Sequence, residues 1–209
     1  MVRVYYHIYA IDGVEDIITE QLNLIKTHFD FPYTLNVGIS IAKENQSISH
    51  ILKMVDNVGD VRAMGNEFTT LELIEKDKEN FGDSDYILYI HTKGASKQNS
   101  ENVISWRHLM NYFNIEKVKN VFKLFEKTGY NTYGVLLGSA GKWKIYSGNF
   151  WWMKGYYAKS INIEGVKRNR FSAETDYIQN GEDWKPYSPY NCEGMNHYQI
   201  LFKREEYAK

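Results

Sequence analysis

The sequence predicts an α/β fold, a central, mostly parallel but mixed sheet flanked by helices. Two observations carry this. Strand-like runs at residues 2–10 and 34–41 alternate with helical stripes, the order of a parallel sheet with right-handed crossovers. The run from Tyr86 to Ile90 is nearly all β-formers without polar alternation, as in a strand covered on both faces. That run ends abruptly in His91-Thr92-Lys93-Gly94. In open α/β sheets, ligands bind in the crevice outside the carboxyl ends of strands.

The elements follow in order. Residues 2–10 read as strand, closed by a turn at Asp12-Gly13. Residues 14–29 carry apolar side chains at helical spacing, with Glu15 and Asp16 in the first turn. A second strand covers 34–41, and Ser47 or Ser49 caps a short helix reaching residue 54. Residues 56–62 read as a polar connection before a helix over 67–81 and the central strand. Two helices follow, 103–113 and 115–128, the second stopped by Gly129 in the C′ role. Then come a strand over 133–137, a loose loop over 138–141, and strands over 143–146 and 148–153 with a glycine break. Residues 156–163 suit a helix, 168–171 a basic loop and 173–179 a short helix with Ser172 as its N-cap. Beyond Gly181 only 197–202 resembles a strand. No repeat, low-complexity tract or linker interrupts the 209 residues, which read as one domain.

Composition excludes several classes. The formal net charge of −1 leaves no overall footprint for nucleic acid. No apolar run approaches the roughly 18 residues that span a bilayer, and residues 1–10 read as a first strand rather than a signal peptide. The single cysteine, Cys192, excludes an internal disulfide framework and fits a reducing compartment. The expectation is a soluble cytoplasmic protein, in the host cytoplasm if the chain is viral. The aromatic content (17 Tyr, 10 Phe, 5 Trp) suits a binder of sugars or bases, both of which stack on flat rings.

Four constellations carry chemistry. His91, Thr92, Lys93 and Gly94 at the strand end read as an anion cradle or as a plain polar loop; a diphosphate needs such cations and donors when no metal neutralises it. The acid-x-acid triplet Asp83-Ser84-Asp85 lies at the other end of the strand, about 20 Å away at about 3.3 Å per residue, and reads as a solvated turn. Asn57, Gly59, Asp60 and Arg62 suit either ribose and phosphate contacts or ordinary turn chemistry. In Ser147-Gly148-Asn149-Phe150-Trp151-Trp152, the strand alternation suits either core packing of the aromatics or one Trp in the core and the other lining a cleft, with Gly148 leaving room for a ligand. Glu174 and Asp176 sit in a first helical turn, where they either complement the dipole or one serves as general base. The six histidines show no metal-ligand spacing.

Taken in order, His-Thr-Lys-Gly after a strand, Trp106-Arg107, Ser-Gly-Asn-Phe-Trp-Trp and then Ala173-Glu174 resemble a GT-A type glycosyltransferase. The chain is similar to the rhamnosyltransferase-like group in which His-Thr-Lys occupies the place of Asp-X-Asp. That group includes amino-terminal domains of large multidomain glycan-building proteins of chlorella viruses. The resemblance spans residues 2–202 and implies a Rossmann-like nucleotide half (about 1–98), an acceptor half (about 99–209), and membership of a larger multidomain protein. It implies a UDP-sugar donor, with L-rhamnose as the sugar, and an oligosaccharide acceptor. His7, Tyr9, Ala10 and Asp12 would meet the uridine, Asn57, Asp60 and Arg62 the ribose or phosphates, and His91, Thr92, Lys93 and Gly94 the diphosphate. Ser147, Asn149, Trp151 and Trp152 would line the acceptor site, with Glu174 as the base of an inverting displacement and Asp176 second. No essential cofactor is expected: a lysine where Asp-X-Asp would stand repels Mn or Mg. Two alternatives remain open, a retaining Mn-dependent glucosyl- or galactosyltransferase and a non-catalytic carbohydrate-binding domain.

Overall fold

In the computed structural model, which describes residues 1–140, 143–191, 194 and 196–208, a seven-stranded sheet separates two layers of helices. Its elements are β1 (Val2–Ala10), α1 (Glu15–His28), β2 (Tyr33–Ile41), α2 (Ser49–Leu52), β3 (Val58–Ala63), α3 (Phe68–Asp77) and β4 (Tyr86–His91). They continue with α4 (Glu101–Asn111), α5 (Val118–Lys127), β5 (Thr132–Gly134), β6 (Leu137–Ala140), β7 (Trp143–Tyr146) and β8 (Trp151–Lys154). The last are α6 (Gly155–Ser160), α7 (Arg170–Thr175), β9 (Pro186–Tyr187) and α8 (Arg204–Tyr207).

The strand order is β3-β2-β1-β4-β8-β5-β9; β1 to β4 are parallel and β8 runs antiparallel to β4 and β5. One face of β1 and β4 (Val4, Tyr6, Ile8, Leu88, Ile90) packs with residues of α1, α4 and α5. The other (Tyr5, Ile87, Tyr89) packs with residues of α3, α6 and α7. Both faces are covered, which explains the unbroken apolar run of β4.

Several expectations are corrected. Residues 58–63 form a strand rather than a connection: β3 pairs with β2 through a register shift at Val37/Gly38. It is an exposed edge strand, so Gly59, Asp60 and Arg62 give it no apolar alternation to read. Gly138, Ser139 and Ala140 belong to a strand, β6, which pairs with β7, while Gly141 lies outside the described residues. A π-helical turn over Tyr112–Glu116 joins α4 to α5. Gly129 is not left-handed, and Thr128 ends α5, its amide and hydroxyl both donating to the Leu124 carbonyl. The last expected helix starts earlier, at Arg170, and its cap is Asn169, whose Oδ1 accepts from Ser172 N at 3.0 Å. The expected strand at 197–202 is a 3-10 turn over His197–Gln199. Asp85 is not solvated: it is buried, and its carboxylate accepts from the Met1 amino group at 2.8 Å and Arg3 Nε at 3.1 Å. It ties the amino ends of β1 and β4 together, far from the crevice. Cys192 lies outside the described residues. Among the described residues no helix is long and apolar enough to cross a membrane.

Candidate active site at the carboxyl edge of the sheet

The parallel register brings His7 opposite His91, with both side chains on the α3 face. His7 is buried, and its Nδ1 lies 2.9 Å from Thr70 Oγ1 on α3. His91 Nε2 lies 2.8 Å from the Gly148 carbonyl oxygen, a contact between the end of β4 and the loop entering β8. Burial pushes the imidazoles of His7 and His91 down to about 3, and for His91 the nearby Lys93 ammonium pushes the same way. Both rings are therefore neutral at physiological pH.

Past His91 the chain turns at Gly94, whose φ of +87° favours glycine and where a Cβ would stand 2.9 Å from Val103. Thr92 is structural: its hydroxyl oxygen accepts from Tyr9 N at 2.9 Å and its amide donates to the His7 carbonyl, extending the β1–β4 pairing. The turn is pinned from α4 by Arg107, which donates to the Lys93 carbonyl at 3.2 Å and to Glu20 Oε2 at 2.8 Å. Glu20 also accepts from Asn111 at 2.7 Å. Burial works against the Glu20 carboxylate, yet hydrogen bonds from His108 and Arg107 outweigh it and hold the acid down to about 2.

Lys93 itself is 6 % exposed. Its Nζ lies 4.0 Å from the Trp106 ring centroid and 5.8 Å from that of Tyr198. Among the described residues the ammonium has no ion pair or hydrogen bond. Burial lowers its pKa, and the carboxylates of Glu174 and Glu67 oppose that drop. The side chain of Glu174 is 28 % exposed, and its carboxylate acts electrostatically on both His91 and Lys93. Among the described residues it forms an ion pair with Arg170, a 3.6 Å contact.

Glu67, which the sequence marked only as the start of a helix, is the residue that reading missed. It is 5 % exposed, and its Oε2 accepts from Tyr89 OH at 2.8 Å and Asn149 Nδ2 at 2.5 Å. No spacing rule links residue 67 to residues 89 and 149; only the fold brings them together.

The other expected residues divide. Tyr9 is partly exposed near the end of β1, Asp12 is exposed, and Ala10 is buried with its carbonyl accepting from Ala42 N. Arg62 stands near the carboxyl end of β3, held by Asp60 at 2.6 Å and Glu72 at 2.8 Å. Asn57 is removed from the crevice, because it precedes β3 at the amino edge and there bonds the Leu35 carbonyl and Asn36 Oδ1. Trp151 and Trp152 do face opposite sides, as alternation required, but both sides are core and both rings are fully buried. Asn149 is likewise buried, its amide spent on Glu67, Trp151 Nε1 and the Ala173 carbonyl. Gly148 leaves no ligand space, since a Cβ there would stand 2.3 Å from Met110 Sδ. Of the expected acceptor residues only Ser147 keeps partial exposure, and its hydroxyl lies 2.6 Å from His197 Nδ1. Asp176 lines a cavity of about 750 Å³ with Asn169, Phe171, Ser172 and Gln179, and no strand-end residue shares that lining.

The carboxyl ends of β1 and β4, the loop before β8, α7 and the start of α3 thus bring a buried ammonium, two neutral imidazoles and two carboxylates into one neighbourhood. Such a set can hold an anion and accept a proton from a hydroxyl. For a divalent cation the strand end offers little: His91 and Thr92 are engaged and Lys93 is itself a cation. Among the described residues no three His, Cys, Asp or Glu side chains gather as a metal site.

Residues 1–146 match the family model described as RgpF, rhamnan synthesis protein F. No curated protein matches the chain. The matched segment contains β1, the Glu67 loop and the His91–Lys93 turn, and ends just before Ser147.

Proposed function

The chain belongs to the rhamnan synthesis protein F family, whose members are rhamnosyltransferase-related, and on that premise we propose how it transfers a sugar. The donor is a UDP-sugar carrying L-rhamnose, and the acceptor is a hydroxyl of a glycan. The acceptor hydroxyl gives its proton to Glu174 while its oxygen attacks the anomeric carbon from the side opposite the diphosphate. The bond from that carbon to the diphosphate oxygen breaks, the electron pair leaves with the diphosphate, and the anomeric configuration inverts. Lys93 neutralises the charge that develops on the leaving group, the work a divalent cation does elsewhere. Neutral His91 and the Arg107-pinned turn hold Lys93 in position.

The observation that carries this reading is the buried Lys93 ammonium, without an ion pair among the described residues, at the carboxyl end of β4. Burying a lone charge is costly, so such a group is retained where an anion completes it. Calorimetry with UDP tests the nucleotide half of the reading, and absence of UDP binding sinks it. A donor screen with product anomers read by NMR, run with and without EDTA, tests the rest. A retained anomer or EDTA-abolished transfer would replace this mechanism with a retaining, metal-dependent one.

A further inference from the structure

Among the described residues, four Asp, Glu, Lys or Arg side chains are buried below a tenth of their surface: Glu67, Asp85, Lys93 and Arg107. Asp85 is paired with Arg3 and the Met1 amino group, and Arg107 with Glu20. Among the described residues, Glu67 and Lys93 have no ion pair. Asn149, which donates to Glu67, follows Gly148, where a Cβ would stand 3.1 Å from Nε1 of the Trp106 ring under Lys93. The two groups feel each other's charge, yet form no ion pair. Opposite charges buried side by side ordinarily close into a pair. Here the protein keeps them apart. Tyr89 and Asn149 hold Glu67 by one oxygen, Oε2, and the Trp106 ring holds the Lys93 ammonium. Asn149 adopts a left-handed backbone, φ 57°, to make its bond, a strain that a buried non-glycine residue bears only where the fold requires it. No hydrogen bond among the described residues reaches the other oxygen, Oε1.

We propose that Glu67 is the anchor of the donor's sugar: Oε1 accepts a hydrogen bond from a hydroxyl of the hexose whose diphosphate Lys93 holds. This rests on the donor reading above. The chemistry of the two groups sets the ligand class. One takes an anion and the other a neutral hydroxyl donor, which is how a sugar nucleotide is built at its phosphate–sugar junction. The carboxylate cannot serve the diphosphate, which it repels, so its contribution falls on the sugar alone.

The test is calorimetry on the full chain with UDP, UDP-glucose and UDP-L-rhamnose, before and after Glu67→Gln. UDP affinity is expected to stay within about twofold, while the tightest sugar nucleotide weakens about tenfold, as for loss of a hydrogen bond to a charged group. In the unaltered chain, one member of a series of 2-, 3- and 4-deoxy UDP-glucose analogues should show a similar loss. This arm stands even if the variant does not fold. Equal binding of all the analogues, equal weakening of UDP and UDP-sugar, or an unchanged sugar nucleotide affinity with lost turnover would each overturn the assignment. Failure of the unaltered chain to bind UDP would remove the donor reading and this inference with it; intact UDP binding with no sugar effect removes this inference alone.

Discussion

His91 Nε2 and the Gly148 carbonyl oxygen, 57 residues apart in sequence, lie 2.8 Å from each other. This contact joins the parallel half of the sheet to the antiparallel half at the crevice. Because the ring is held neutral by burial, its Nε2 can carry the proton and donate to that carbonyl. The Gly148 loop is shaped for the contact: Asn149 N donates to the Tyr146 carbonyl at 2.8 Å, and Gly148 has a φ of +94°.

Gly148→Ala therefore meets two obstacles, an unfavourable φ and the Met110 side chain. The variant should lose about 1–3 kcal/mol of stability in urea denaturation. A ligand-facing glycine would instead leave stability nearly unchanged and affect only binding.

Lys93→Met keeps the aliphatic stem against Trp106 and removes the charge. UDP affinity should fall roughly ten- to a hundredfold, the loss expected for one charged contact. The melting temperature should hold or rise, because a buried unpaired ammonium costs stability. A fall in melting temperature with unchanged UDP affinity would make Lys93 a structural residue.

Glu174→Gln should lower turnover by about 10²- to 10⁴-fold, the usual contribution of a general base. UDP affinity should remain close to that of the unaltered chain in the same calorimeter. Unchanged turnover would take the base role away from Glu174.

His7 gives the fold an acid limit. Its folded-state value of about 3 lies below the ordinary 6.5, so between those two pH values the unfolded chain is protonated at this site and the folded chain is not. Stability therefore falls as pH drops from about 6.5 towards 3, by up to about 1.4 kcal/mol per pH unit from this residue. The groups facing the ring are Thr70, Glu67 and His91; Glu67 favours the protonated ring and His91 opposes it. Urea denaturation between pH 5.0 and 6.5 should show a flatter pH slope in His7→Asn than in the unaltered chain. His91, lowered to about 3 chiefly by burial as well, contributes to that slope in the same direction in both proteins.

The alternation of strand and helix, the fully covered β4 and the polar break at His91 were legible because each is a local pattern set by periodicity and by turn residues. The carboxyl edge followed from strand direction alone, which is why His7, Tyr9, His91 and Lys93 could be placed together at one end of the sheet. Reading 56–62 as a loop put Asn57 beside Arg62; the edge strand between them sends Asn57 to the opposite end of the sheet, about 17 Å away at about 3.3 Å per residue. Edge strands carry the charges and glycines that loops carry, so pattern cannot separate the two.

By itself the sequence determined a two-sided sheet with a lysine-bearing polar turn at one strand end, because burial pattern and turn chemistry act over a few residues. It also determined that Trp151 and Trp152 face opposite ways, though not that a helical layer covers each. Tertiary structure decided which polar groups remain available. It spent Thr92 and Asn149 on the fold, removed Asp176 to another cavity, and brought Glu67 under the loop that precedes β8. A side chain's freedom depends on partners distant in sequence, and those partners are known only once the chain is packed.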